Sequence, residues 1–326
     1  MRDIKIFVSH RIELDSETIP NKLYYPVRCG AVDDQRQNVA IPGDNTGENI
    51  SNRRVSFGEF TVQYWAWKNI KADYYGLCHY RRYLSFAPGN FPVNYYNHVI
   101  EPFLDRFSIR RHQLLNESCM RELIEAHDII VNRNTDIRRV RVRETPKETV
   151  YAHWTDWDGC LIDKKALDVL IELIEKLHPE YLQSANEYFA GWAFRTSNCY
   201  ILRRDLFSRL CEFQFDILFE LEKKLDIRGY ENDMKRMPSY MGEIMYGIFI
   251  HHLQKQQIYR IKEIPLVFFK ETTKSKTLLH ALARRILNPF KKTVLLFHNT
   301  ILPEETKRRM AVKKINRKIR SFLGKI

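Results

Sequence analysis

Four consecutive residues, His79, Tyr80, Arg81 and Arg82, interrupt the apolar run of residues 74–86 with an imidazole, a phenol and two guanidiniums. A guanidinium is costly to bury unpaired, so each arginine there needs a carboxylate, a phosphate or water beside it. Two chemistries fit: an ion-pair cluster that ties the fold together, or a clamp gripping a phosphate through paired hydrogen bonds. Side chains of one strand alternate between faces, so His79 would share a face with Arg81, and Tyr80 with Arg82, unless the strand breaks into a loop at that point. A second feature is Glu243, alone in the apolar run 241–250. Loss of water would lift its pKa toward neutrality, or an arginine such as Arg81 would pair with it. A third is the loop 41–51, where two glycines accompany Asp44, Asn45, Glu48, Asn49 and Ser51. Its short polar side chains and free amides suit a ribose, base or sugar, and equally suit ordinary turns.

These groups need a scaffold. Residues 4–10 read as a strand, 21–31 as a turn and short extended segment, and 33–54 as a polar loop. Ser56-Phe57-Gly58-Glu59 has the spacing of a capping box opening a helix to about Asn69, whose Tyr64, Trp65 and Trp67 read mostly as core. Residues 74–86 follow as one strand, then a helix over 120–126 and a strand over 126–132. Leu167, Leu170, Ile171, Ile174 and Leu177 recur at helical spacing over Lys164–Leu177. A strand at 199–202, helices at 205–225 and 240–253, and a strand at 261–269 complete the pattern. Alternating strands and helices predict an α/β fold with a mostly parallel sheet. Ligands of such sheets lie off the carboxyl ends of the strands, which places Ser9, His10 and residues 79–82 beside one crevice.

With 44% hydrophobic and 13% aromatic residues, the 326-residue chain can fill a real core. Its six cysteines are scattered singly, which argues against a disulfide framework or structural zinc. No leader pattern opens the sequence, and no apolar run reaches about 18 residues. The net charge of +13 is uneven: residues 271–326 hold 15 Lys and Arg against 3 Asp and Glu, leaving 38 against 37 elsewhere. In that segment Ala311, Ile315, Ile319 and Phe322 recur every three or four residues among basic ones, the pattern of a helix lying on an anionic membrane. A nucleic-acid tail is disfavoured because the body is neutral. The expected division is a globular domain over 1–270 and a membrane-associating tail over 271–326.

The segments DNTGENIS, FGEFTVQYWAWKNI, DYYGLCHYRRYL, SNCYILRRDLFSRLCEFQFDILFELE, MGEIMYGIFIHHL and IKEIPLVFF together resemble a bacterial family long labelled a domain of unknown function. That family is assigned to glycosyltransferases of capsule, exopolysaccharide and O-antigen synthesis. The resemblance covers roughly residues 3–269 and implies a GT-A-like fold that transfers a hexosyl unit, such as galactose in pyranose or furanose form, from a nucleotide sugar, UDP-linked, to a lipid-linked glycan. It implies donor-binding roles for Asp44, Asn45, Asn49, Glu59, His79, Tyr80 and Asn198, beside Ser9 and His10 at the strand ends. The expected location is the cytoplasmic face of the plasma membrane.

In GT-A enzymes a divalent cation on an Asp-x-Asp motif usually holds the diphosphate. Here Arg81 and Arg82 stand in that slot, so the expected enzyme works without a metal. The alternative cation site is Asp156-Trp157-Asp158, whose hard oxygens suit Mg2+ or Mn2+, although it precedes a helix instead of ending a strand. Inverting transfer also needs a general base: Glu243 is the first candidate, with Asp158 and Asp156 behind it. Trp154 and Trp157, read as lying in a polar turn, are the candidates for stacking on an acceptor sugar. A non-catalytic nucleotide-sugar-binding scaffold is the alternative function.

Overall fold

The computed structural model describes residues 1–142, 145–225, 229–230 and 232–274. Among the described residues nine strands form one mixed sheet: β1 (Ile4–Arg11), β2 (Tyr24–Cys29), β3 (Tyr74–His79), β4 (Arg82–Leu84), β5 (His98–Phe103), β6 (Ile129–Asn132), β7 (Tyr200–Arg203), β8 (Ile261–Ile264) and β9 (Leu266–Glu271). Parallel ladders join β1 to β2 and β3, β6 to β8, and β5 to β9. The antiparallel β7 is inserted between β3 and β6. The helices described are α1 (Arg54–Phe57), α2 (Phe60–Asn69), α3 (Arg106–Arg111), α4 (Glu117–Glu125), α5 (Val150–Thr155), α6 (Lys164–Leu177), α7 (Leu182–Ala190), α8 (Arg204–Lys224) and α9 (Met237–Gln256).

The period of two along the strands divides the core into two layers. Phe7, Tyr75, Leu77, Ile129, Val131, Tyr200 and Leu202 face the layer built with α2, α6, α8 and α9. Their neighbours Ile6, Val8, Tyr74, Cys78, Ile130 and Ile201 face the opposite layer, which holds residues of α3 and α4. Because both faces are covered, the central strands read as continuous apolar runs with little alternation.

Four expectations change. Residues 74–86 are not one strand: β3 ends at His79, Tyr80 and Arg81 make a tight turn, and β4 returns with Arg82 opposite His79. Ser56 caps nothing; it lies inside α1, and Gly58 at φ +54° separates that short helix from α2. Residues 150–155 are helical, so Trp154 is on a helix, not in a turn. The stretch 261–269 is two strands divided at Pro265, where β8 pairs with β6 and β9 with β4 and β5. Proline cannot donate to a ladder, which is why the division falls there.

Residues 272–274 are tied to the body. Glu17 donates its amide to the carbonyl of Thr272 at 2.7 Å, and Lys274 pairs with Asp15 at 2.8 Å. The amphipathic pattern expected within 275–326 lies outside the described residues. Among the described residues no helix is long and apolar enough to cross a membrane.

Candidate functional site

The parallel register of β1 and β3 sets Ser9 beside His79 at the carboxyl ends of both strands. The amide of Tyr80 donates to the carbonyl of Ser9 at 3.0 Å, and the rings of His10 and Tyr80 are 6.4 Å apart. The hairpin turn thus sits where strand-end ligands bind in open α/β sheets. Arg81 and Arg82 project their guanidiniums over the Phe268 ring, at 5.1 and 5.6 Å from its centroid. Among the described residues neither makes an ion pair, and the buried Nε of each has no hydrogen-bond partner. Of the two readings of this arginine pair, the structural ion-pair cluster is therefore not what the fold contains among those residues.

Both neighbouring imidazoles are held below their ordinary pKa. Burial pushes His79 well below its ordinary value, and the charges of Arg82 and Arg81 push the same way. His10, 2% exposed, is lowered to about 4, first by burial and then by Lys274. Neither ring nitrogen of His10 has a partner, nor does Nδ1 of His79.

The acids arrive from the helical layer. Glu59 opens α2, and its carboxylate accepts from Nδ2 of Asn198 at 3.1 Å, so the residue expected to close a capping box instead reaches across to the start of β7. Ser197, one step earlier, has φ +65°. The Ser197 amide faces Glu243 on α9 and favours its charged form. Burial raises Glu243 to about 7; Arg82 and the Ser197 amide oppose the rise, and Glu59 adds to it. Gly242, next along α9, packs so closely on the Phe60 ring of α2 that a β-carbon there would collide with it.

Arg82 and Glu243 share the wall of a cleft of about 450 Å3, within the size range of ligand sites. Tyr240, Trp154, Trp157 and Phe268 supply aromatic surface to the same cleft. Trp154 is almost wholly buried against Phe194 and Tyr240, at 5.6 and 6.1 Å between centroids, so its place is in the cleft floor. Trp157 is the more exposed of the two.

Several expected residues have other employment. Asp44 is fully buried and accepts four hydrogen bonds, from the amides of Gly30 and Ala31 and the hydroxyls of Ser51 and Thr61, so it offers no free oxygen to a donor and shapes the loop instead. Asn49 bonds the Gly47 carbonyl and the Ser51 amide within the same loop, and Asn45 is exposed. Asp156 pairs with Lys147 at 3.2 Å, whereas Asp158 accepts the Lys164 amide at 2.7 Å at the start of α6. The two carboxylates are thus turned to separate partners. Among the described residues no group of three His, Cys, Asp or Glu side chains is arranged to hold a metal.

Sequence reasoning missed Arg236, Tyr240 and Ser197. Arg236 lies over the Tyr240 ring at 5.7 Å and its charge reaches His79, Arg81 and Glu243. The available signal was its spacing: positions 236, 240 and 243 fall on one helical face.

A family model described as "Domain of unknown function (DUF4422)" matches residues 5–256. No curated protein matches the chain. Among solved structures, the chain is similar to "WbbM bifunctional glycosytransferase apo structure", with 27% identity and a TM-score of 0.76 over 85% of this chain. It spans about half of that protein, 47% of its length.

Proposed function

The chain belongs to the DUF4422 family, and from that premise we propose that it is a glycosyltransferase moving a hexosyl unit from a nucleotide sugar, UDP-linked, to a lipid-linked glycan in bacterial polysaccharide synthesis. The observation that carries the reading is the meeting in one cleft of Arg82, without an ion-pair partner among the described residues, and Glu243, whose pKa is lifted to about 7. A carboxylate in that range accepts a proton well near physiological pH. Likeness to a glycosyltransferase structure supports the reaction class.

In the proposed reaction Glu243 takes the proton of an acceptor hydroxyl as that oxygen bonds to the anomeric carbon. The bond from this carbon to the donor diphosphate breaks, and the leaving diphosphate accumulates negative charge beside Arg81 and Arg82. Fixed guanidiniums placed where charge develops lower the barrier without rearranging during the step. The displacement inverts the anomeric centre. Trp157 and Tyr240 offer faces on which the acceptor sugar stacks. Arg81 and Arg82 take the part a divalent cation plays elsewhere, so the enzyme needs no metal. The basic segment within 271–326 keeps it at an anionic membrane surface, where a lipid-linked acceptor resides.

The test is a thermal-shift screen of nucleotide sugars, since a specific ligand raises apparent stability by mass action. Donors that stabilise are then assayed for transfer and for slow release of free UDP in excess chelator. Undiminished turnover in chelator is expected. Loss of activity restored by Mn2+ would return a metal to the mechanism, and binding without turnover would favour the scaffold.

A further inference from the structure

Arg81 and Arg82 leave a third cation of the site without a role. Arg236 immediately precedes α9, is exposed, and among the described residues makes no ion pair. Its Nη2 stands 3.7 Å from the position a β-carbon of Gly58 would take, at the break between α1 and α2 and next to Glu59. Positions 236, 240 and 243 are spaced by four and three residues, so a guanidinium at the N-cap of α9, an aromatic ring and an acid follow one another along one side. At 1.5 Å per residue the span from first to last is about 10 Å.

The electrostatics of this face are unfavourable on their own. Arg236, Arg81, Arg82 and Arg11 all bear on the same locus. The acids facing it are Glu59, bonded to Asn198, and Glu243; among the described residues Arg11 is the one of these cations with an ion pair, to Glu13 at 3.3 Å, which it shares with Arg54. Around that locus lie Nε of Arg81, Nε of Arg82, Nδ1 of His79, both nitrogens of His10 and Oδ1 of Asn198, all buried and without protein partners. Buried polar groups are normally satisfied, so their concentration in one place marks a site for a polar ligand. Converging like charges say that this ligand is an anion.

We infer that Arg236 is a third diphosphate-binding residue, which meets the nucleoside diphosphate from the N-terminal end of α9 together with Arg81 and Arg82. The inference rests on the donor-site reading above and adds a residue and a geometry to it. Because Arg236 is the N-cap residue of the helix that carries Glu243, gripping the leaving group sets the distance from diphosphate to base. Binding of the donor therefore positions Glu243 for the acceptor.

Calorimetric titration of the full chain with UDP, inorganic pyrophosphate and uridine tests it, on wild type, Arg236→Ala, Arg236→Lys and the control Arg110→Ala, an exposed arginine of α3. Loss of a charge-assisted hydrogen bond predicts that Arg236→Ala weakens UDP and pyrophosphate about ten- to a hundredfold. Uridine affinity stays unchanged, Arg236→Lys falls between, and Arg110→Ala matches wild type. Without ligand, Arg236→Ala melts at or above the wild-type temperature, because repulsion is relieved. Equal UDP affinity in wild type and Arg236→Ala overturns the inference while leaving the donor site intact, as does an equal loss of uridine. If wild type binds neither UDP nor pyrophosphate, the donor-site reading falls and the role of Arg236 with it.

Discussion

Replacing Glu243 by Gln separates a base from a structural acid, because the two roles predict opposite effects on stability. Burial raises this carboxyl from 4.5 to about 7, so the folded state holds its proton more tightly than the unfolded chain does. The stabilisation is fully present below about pH 4.5, fades as pH rises, and is gone above about 7. At 1.36 kcal/mol per pH unit the shift is worth up to about 3 kcal/mol. Glutamine keeps the shape without ionising, so above pH 7 the variant should be the more stable protein, melting roughly 5 °C higher. Transfer should meanwhile fall about a hundredfold or more, the usual contribution of a positioned base. In wild type, turnover should rise with pH through an apparent pKa near 7, and this limb should vanish in the variant. Melting at pH 5.5 and 8 beside a pH–rate profile makes the measurement. If Glu243→Gln is less stable than wild type at pH 8, the carboxylate is serving Arg82 as an ion-pair partner; if turnover is unaltered, it is not the base.

Other outcomes follow from the same geometry. Arg82→Ala should weaken UDP binding about tenfold or more, read by calorimetry, with little change in melting temperature, since no ion pair among the described residues is lost. Trp157→Ala should raise the acceptor KM about tenfold and leave donor hydrolysis unchanged, if its ring stacks on the acceptor sugar. Arg195 is 1% exposed, donates to the buried Asn132 carbonyl and pairs with the partly exposed Glu263 at 2.6 Å, so Arg195→Met should strip that carbonyl of its donor and lower stability by about 2 kcal/mol in denaturant titration. Exchanging Lys313, Lys314, Arg317 and Lys318 for Glu in the full chain should abolish co-sedimentation with anionic vesicles while UDP binding persists.

Elements whose own pattern decides them were readable in advance. Helix α6 spans Lys164–Leu177 as its apolar spacing predicts, because Leu167, Leu170 and Ile174 lie on one stripe and are buried together, while Ile171 is half-buried and Leu177 exposed at the edge. The placing of Ser9 beside His79 at the carboxyl ends of β1 and β3 was also legible, since strands separated by a helix pair in parallel. What escaped prediction depends on partners distant in sequence. Ser56 and Glu59 match a capping box, yet Glu59 is drawn to Asn198, 139 residues away. Asp44 has the composition of a ligand residue, but four donors of its own fold claim it. The hairpin at Tyr80 and Arg81 carries neither glycine nor proline, so no local signal announces the turn. Arg236 is one of 53 basic residues and acquires meaning only when α9 docks.

That docking has a mutational corollary. The acid at 243 is indexed to α2 through van der Waals contact, the Phe60 ring seated against the bare backbone of Gly242. Adding one methyl group at 242 would lever the helix outward and carry the neighbouring carboxyl off target, with no reactive group having been touched. A smaller side chain at 60 should restore the fit, so positions 60 and 242 form a lock in which either half can be recut only together with the other.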